Sequence, residues 1–199
     1  MSFRALSSLP RALGQRAAPL RAAPAVSRVS QFHTSRPLFV SPGDTLPQGE
    51  LLFENSPGNK VDLSDEFTNI KRGLVIGVPA AFSPACSNQH IPSYINSPKV
   101  AEIIGEGGKV AVVSVNDPFV MKAWQDQLDP TNESGIRFLA DASGDFTKAL
   151  ELDFDSVAIF GNRRAKRYAL VLEDGKVKSV HVEPDNTGAD VTLADKVLG

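Results

Sequence analysis

Two apolar segments separated by a helical segment restrict the fold of this chain more than any other feature. Leu74–Val78 and Lys109–Val115 are rich in β-branched residues and show almost no alternation of polar and apolar side chains. Strands of this kind lie in the middle of a sheet with both faces covered, and a helical crossover pairs them in parallel. Ser97-Pro98 between them is typical of a helix start. The sequence therefore predicts an α/β fold.

Turn residues also predict a hairpin near each end of the folded part. Pro57-Gly58-Asn59 joins a short strand at Leu51–Phe53 to a second at Lys60–Leu63, and Asp174-Gly175 joins two apolar strands near the C-terminus. The short apolar segment Val157–Phe160 predicts one further strand. Together these patterns predict a central mixed sheet flanked by helices, with an N-terminal β-hairpin extension.

The first 36 residues differ in composition from the rest of the chain. They contain no acidic residue and no lysine, but they hold six arginines: Arg4, Arg11, Arg16, Arg21, Arg28 and Arg36. An N-terminus rich in arginine and serine and free of acids is typical of an organelle transit peptide. We therefore predict that residues 1–36 direct the protein to the mitochondrion, most simply to its matrix, and that residues 40–199 form the folded domain. A disordered basic tail that binds an acidic surface is the alternative.

The charge of the remaining chain limits the classes of partner and cofactor. After residue 36 the chain contains 15 basic residues and all 23 of its acidic residues. This excess of negative charge does not favour nucleic-acid binding. No apolar run approaches the roughly 18 residues that a membrane helix needs. One cysteine and two histidines form no recognisable ligand cluster, and no glycine-rich phosphate-binding loop is found. We therefore predict no metal, no cofactor and no membrane insertion.

Cys86 is the only cysteine of the chain, and it lies between the first buried strand and a helix predicted over Asn88–Ile95. A helix N-terminus favours the thiolate, because unpaired N–H groups and the helix dipole stabilise negative charge. The alternative is a small buried apolar residue, the commoner role of a free cysteine. Ser83 occupies the position of the first cysteine in a dithiol motif, so no disulfide can form there. Pro92 is expected to kink the helix.

The loop around Cys86 resembles the active-site loop of the peroxiredoxins. That family's signature is a proline, three residues, threonine or serine, two residues and a cysteine, and here it reads Pro79-Ala-Ala-Phe-Ser-Pro-Ala-Cys86. Later segments resemble the type II, or fifth-class, members of the family: Val113–Asp117, Phe160–Tyr168 and Val182–Gly188. The resemblance extends from about Val40 to the C-terminus. It implies a thioredoxin-like fold and a thiol peroxidase activity in antioxidant defence.

The resemblance implies a role for each residue that matches the family motif. Cys86 corresponds to the peroxidatic nucleophile, which attacks the peroxide and becomes a sulfenic acid. Ser83 corresponds to the hydroxyl that contacts peroxide and thiolate, and Pro79 to the residue that shields the pocket from water. Arg167 corresponds to the guanidinium that binds both thiolate and peroxide. His90 is a secondary candidate, because a spacing of four residues places it on the same helix face as Cys86; a packed histidine with one hydrogen bond is the alternative.

The sequence departs from part of the family at Val191, where some members have a second, resolving cysteine. With one cysteine an internal disulfide cycle is excluded, so an external thiol must reduce Cys86, either glutathione with glutaredoxin or thioredoxin. The expected substrates are hydrogen peroxide and organic hydroperoxides. The resemblance also implies a homodimer, and Phe82, Phe119 and Trp124 are expected in the core or in the dimer contact.

Two other functions remain open at this point. A peroxide sensor or redox relay would use the same cysteine but would pass its disulfide to a partner protein. A thioredoxin-like binding module would contain Cys86 only as an inert buried thiol.

Overall fold

The structure, a computed structural model, describes residues 39–199, so the transit peptide predicted at residues 1–36 lies outside the described residues. Nine strands are found in this part of the chain: β1 (Leu52–Glu54), β2 (Lys60–Val61), β3 (Arg72–Val78), β4 (Lys109–Ser114), β5 (Arg137–Ala140), β6 (Asp153–Phe154), β7 (Arg164–Ala165), β8 (Tyr168–Glu173) and β9 (Lys176–Val182). Seven of them form one sheet in the order β2-β1-β5-β4-β3-β8-β9, and β6 pairs with β7.

Seven α-helices and one π-helical turn, Cys86–His90, accompany the strands between residues 39 and 199. The helices are α1 (Leu63–Phe67), α2 (Ile91–Ile95), α3 (Pro98–Gly105), α4 (Pro118–Leu128), α5 (Asp145–Ala149), α6 (Val157–Phe160) and α7 (Ala194–Leu198). None of the helices in this range has both the length and the apolar character needed to cross a membrane.

The mixed sheet that the sequence predicts is confirmed. Strands β3, β4 and β5 pair in parallel, while β8 runs antiparallel to β3 and β1 antiparallel to β5. The first two strands form the predicted N-terminal hairpin, with Leu52 opposite Val61. Parallel strands end at one edge of the sheet, so the loops that follow β3 and β4 lie together. Their contact is a hydrogen bond of 3.1 Å from Ala81 N–H to Asn116 Oδ1.

The two faces of the sheet are covered by separate hydrophobic clusters. Adjacent residues of a strand point to opposite faces, and accordingly Val75 packs in one cluster while Leu74 and Ile76 pack in the other. The second cluster also contains Cys86 and Trp124, both fully buried. The sulfur of Cys86 is therefore held inside a hydrophobic core rather than at the surface.

The prediction of a strand at Val157–Phe160 is wrong, because this segment forms the single-turn helix α6. The turn begins at Ser156, whose carbonyl accepts the N–H groups of Ile159 and Phe160, and it ends at Gly161 in the left-handed region. Four apolar residues have no periodicity that separates a strand from one helical turn. The side chains of Val157 and Ile159 are 55% and 74% exposed, so the apolar pattern does not reflect burial in the monomer.

Gly77 on β3 lies against the ring of Tyr168 on β8, and this close approach generates a stability prediction. A Cβ atom at Gly77 would lie 2.0 Å from Tyr168 Cε1, and the ring is fully buried and cannot move aside. We expect Gly77→Ala to lower the free energy of unfolding by about 2–3 kcal/mol, measured by urea denaturation. Gly105→Ala is the matched control, since nothing lies within 4 Å of its Cβ position. Equal unfolding midpoints for the two variants would contradict the prediction.

Candidate active site

Two hydrogen-bond donors converge on the sulfur of Cys86. Its Sγ accepts a hydrogen bond of 2.8 Å from Ser83 Oγ, and it lies 3.3 Å from Arg167 Nη1. A hydroxyl and a guanidinium in these positions stabilise negative charge on sulfur. Three of the residues that the sequence singles out are thus in direct contact. Pro79, the fourth, is buried immediately after β3, in the same loop.

Arg167 is held almost entirely by carbonyl groups of one loop. The side chain is 1% exposed. Its Nε donates to Gly188 O at 2.6 Å and to Thr187 O at 3.2 Å, and its Nη2 donates to Thr187 O at 2.8 Å. These bonds occupy one side of the guanidinium and direct Nη1 towards the sulfur. The sequence gives no indication of these partners, because they are main-chain carbonyls of an irregular segment.

His90 is fully buried and contacts the same guanidinium nitrogen. Its Nε2 lies 3.1 Å from Thr192 O, and its Nδ1 lies 3.1 Å from Arg167 Nη1. A carbonyl only accepts, so Nε2 carries the hydrogen and Nδ1 accepts from Arg167. Burial, and after it the positive charge of Arg167, lower the pKa of His90 from 6.5 to about 3, although the hydrogen bond to the Thr192 carbonyl partly opposes both effects. His90 is therefore neutral and serves as a hydrogen-bond acceptor.

Pro92 lies just after an irregularity in the predicted helix. The first turn widens into the π-helical turn Cys86–His90, in which Ile91 N–H donates to Cys86 O, and regular α-helix follows from Ile91. Proline has no N–H to donate, so the hydrogen-bond pattern of a regular helix is interrupted at this position in any case. Cys86 and His90 remain on one face of the turn, as their common contact with Arg167 shows.

Trp124 contacts the loop that carries Cys86. The ring of Trp124 lies 6.4 Å from that of Phe82, and its Nε1 donates to Ser87 Oγ at 2.9 Å. Phe82 has a φ of 62°, in the left-handed region that costs energy for a bulky residue. Trp124 therefore contacts residues on both sides of Cys86. Trp124 lies in the core, as predicted, whereas Phe82 and Phe119 are 46% and 64% exposed.

Asn116 is a further supporting residue that the sequence reasoning missed. Its Oδ1 accepts from Ala81 N–H at 3.1 Å and from Ser114 Oγ at 2.8 Å, which ties the loop before Cys86 to the end of β4. Its position directly after a buried parallel strand is the signal that could have identified it. Within residues 39–199, no group of three or more His, Cys, Asp or Glu side chains is arranged to hold a metal ion.

Comparisons with known proteins identify the family of the chain. The Redoxin family model matches residues 41–198. The Schizosaccharomyces pombe protein described as peroxisomal membrane associated protein 20 is 44% identical over 159 residues, which cover 80% of this chain and 97% of that protein.

Two solved structures are similar in both sequence and fold. Peroxiredoxin 5 from Alvinella pompejana has a TM-score of 0.63 and 39% identity, covering 74% of this chain and 92% of its own. Reduced Prx3 from Vibrio vulnificus in complex with hydrogen peroxide has a TM-score of 0.67 and 36% identity, covering 80% and 94%. Together with the family match, they confirm the thioredoxin-like fold and the resemblance to the type II class. This chain therefore belongs to the Redoxin family and, within it, to the type II peroxiredoxins, which are thiol-dependent peroxidases.

Proposed function

We propose that this protein reduces hydrogen peroxide and organic hydroperoxides with Cys86 as the nucleophile. The convergence of Ser83 Oγ and Arg167 Nη1 on the sulfur supports the proposal most directly. The similar Vibrio vulnificus protein, whose structure contains hydrogen peroxide, is a second support. A sensor or relay is not favoured, because the matched relatives are peroxiredoxins and the donors at the sulfur suit peroxide cleavage.

In the proposed reaction the Cys86 thiolate attacks the terminal oxygen of the peroxide. A sulfur–oxygen bond forms as the oxygen–oxygen bond breaks, and the leaving oxygen takes up a proton and departs as water or an alcohol. Cys86 is oxidised to the sulfenic acid. Arg167 and Ser83 donate to the charge that moves from sulfur to the leaving oxygen, so they stabilise the transition state more than the bound peroxide. The role of Pro79 is to keep water out of the loop.

The cycle is completed by thiols from outside the chain. One thiol condenses with the sulfenic acid to give a mixed disulfide and water, and a second thiol reduces that disulfide and restores Cys86. We propose glutathione with glutaredoxin, or thioredoxin, as the source. Turnover measured with each system in parallel identifies which of them acts, and absence of turnover with both would contradict this part of the proposal.

We also propose that residues 1–36 are a mitochondrial transit peptide and that residues 40–199 are the active domain. The support is the acid-free, arginine-rich composition of the N-terminus. The related Schizosaccharomyces pombe protein is named for a peroxisomal location, so the location of this chain needs its own test. Import into isolated mitochondria, with loss of an N-terminal segment of this length, is the expected result.

The first prediction concerns the rate of Cys86 oxidation. Rapid mixing with hydrogen peroxide, followed by Trp124 fluorescence, is expected to show a rate at least about 10³-fold above that of a free thiol at the same pH, since transition-state donors supply factors of this size. Cys86→Ser abolishes the reaction, and Arg167→Met lowers its rate about 10²-fold or more. Arg163→Met is the control, because that exposed arginine pairs with Asp153. A wild-type rate no faster than a free thiol would refute the peroxidase proposal for Cys86.

The second prediction concerns pH. The pKa of His90 is about 3 in the folded protein and 6.5 in an ordinary environment. Between these values the unfolded chain binds a proton that the folded chain does not, so stability falls as the pH is lowered. Glutamine does not titrate in this pH range. We therefore expect the free energy of unfolding to fall by about 2 kcal/mol less in His90→Gln than in the wild type when the pH is lowered from 7 to 5. Urea unfolding at both pH values measures the difference, and parallel pH profiles would contradict it.

The third prediction concerns a homodimer, which we propose forms through exposed apolar side chains. Phe119, Val157 and Ile159 are all more than half exposed. Their segments are joined, because Arg164 Nη1 donates to Val115 O at 2.5 Å. We expect a dimer in sedimentation equilibrium and its dissociation in Ile159→Glu. Lys176→Glu is the control for the change of charge, and a wild-type monomer at micromolar concentration would contradict the proposal.

A further inference from the structure

Glu183 is a buried carboxylate that is not a hydrogen-bond partner of the Cys86 sulfur. It lies directly after β9 and is 3% exposed. Its Oε1 accepts three hydrogen bonds: from Asp190 N–H at 2.7 Å, Thr192 N–H at 2.9 Å and Thr192 Oγ1 at 2.7 Å. Glu183 forms no ion pair within residues 39–199. A buried carboxylate without a cation is costly unless hydrogen bonds satisfy it, so these bonds restrain Asp190 and Thr192 strongly.

The segment between Glu183 and Thr192 supplies the carbonyls that orient Arg167. Asp185 Oδ1 accepts the N–H groups of Thr187 and Gly188, at 3.2 and 2.6 Å. The carbonyls of the same two residues accept from Nε and Nη2 of Arg167. Arg167 Nη1 is left to contact the sulfur. The direction of the guanidinium therefore depends on the position of this loop.

The same loop also determines the state of His90. Thr192 O accepts from His90 Nε2 at 3.1 Å and from Tyr94 OH at 2.6 Å. These bonds place the imidazole hydrogen on Nε2 and leave Nδ1 to accept from Arg167 Nη1. Glu183 holds Thr192 through both its N–H and its hydroxyl. The Glu183 carboxylate thus restrains the C-terminal end of the loop on which the guanidinium and the imidazole depend.

We propose that Glu183 is a positioning residue for peroxide cleavage. Its carboxylate holds the 185–192 loop, and through the loop carbonyls it keeps Arg167 Nη1 directed at the Cys86 sulfur. The main chain adds a second link, since Glu183 N–H donates to Arg167 O at 3.0 Å and Arg167 N–H donates to Asn186 O at 2.7 Å. This inference rests on the proposed peroxidase function and gives a role to Glu183, which the sequence analysis did not single out as a site residue.

The test compares two reactions of Cys86 in Glu183→Ala. We expect the rate of oxidation by hydrogen peroxide to fall about 10- to 100-fold, because a small displacement of a catalytic group has effects of this size. Alkylation by iodoacetamide does not need a guanidinium to stabilise the leaving group. We therefore expect its rate to fall by no more than about threefold. Both rates are measured at pH 9, where an ordinary thiol is largely ionised. A role in folding alone would leave the ratio of the two rates unchanged.

Matched variants separate the carboxylate from its surroundings. Glu183→Gln keeps an acceptor oxygen at the same position, so we expect it to recover the peroxide rate to within about fivefold of wild type. Val191→Ala changes an exposed side chain of the same loop and is expected to leave both rates unchanged. If Glu183→Ala does not fold, Thr192→Val replaces it, since it removes one of the three bonds and is expected to lower the peroxide rate about threefold.

A double-mutant cycle tests whether Glu183 acts through Arg167. In an Arg167→Lys background, the further change Glu183→Ala is expected to lower the rate of oxidation by hydrogen peroxide less than about twofold, because the guanidinium that Glu183 orients is gone. If Glu183→Ala lowers the oxidation rate as much in the Arg167→Lys background as in the wild type, the inference is overturned. An unchanged ratio of oxidation to alkylation rates in Glu183→Ala alone also overturns it. A slow wild-type reaction would instead reject the peroxidase function itself, so the two failures are distinguishable.

Discussion

The contact between Arg167 and Cys86 is the interaction on which the rest of the site depends. A guanidinium that is 1% exposed has lost its hydration, and within residues 39–199 no carboxylate pairs with it. Main-chain carbonyls replace the water on one side, and the sulfur and a neutral imidazole complete the other. Negative charge on the sulfur is then the natural counterpart of the buried cation. The proposed reactivity of Cys86 rests on this arrangement, although its sulfur lies in a hydrophobic core.

The fold brings this contact together from three distant parts of the chain. Parallel pairing of β3 with β4 places the Cys86 loop beside Asn116, and antiparallel pairing of β3 with β8 brings Arg167 to the same edge. The turn after β9 then returns over Arg167 with its carbonyls directed inward. Each step follows from sheet topology, so the loops themselves need little regular structure. The positions of these loops are fixed by hydrogen bonds to side chains, above all those of Asn116 and Asp185.

The sequence was sufficient for the fold class and for the side chains that meet at the sulfur, but not for what holds them there. Continuous apolar runs predicted the central strands because only a doubly covered strand has that composition. The segment Val157–Phe160 was misassigned, since four apolar residues fit one helical turn as well as a strand. The Pro92 prediction marked an irregularity in the helix, and the structure shows a π-helical turn just before this residue. The carbonyls of Thr187, Gly188 and Thr192 were beyond prediction, because every residue has a carbonyl and only the folded loop gives these a direction.

The contact between Gly77 and Tyr168 has a consequence for how this sequence can change over time. The two residues lie opposite each other on paired strands, and the tyrosine ring occupies the space in which a side chain at position 77 would lie. A larger residue at position 77 therefore fits without a steric clash only if position 168 already carries a smaller side chain than tyrosine. Arg167 directly precedes β8, so an exchange of side-chain size at this pair would have to occur without moving the neighbouring guanidinium. The packing of Gly77 against Tyr168 thereby limits which sequences can keep the Cys86 sulfur and the Arg167 guanidinium in contact.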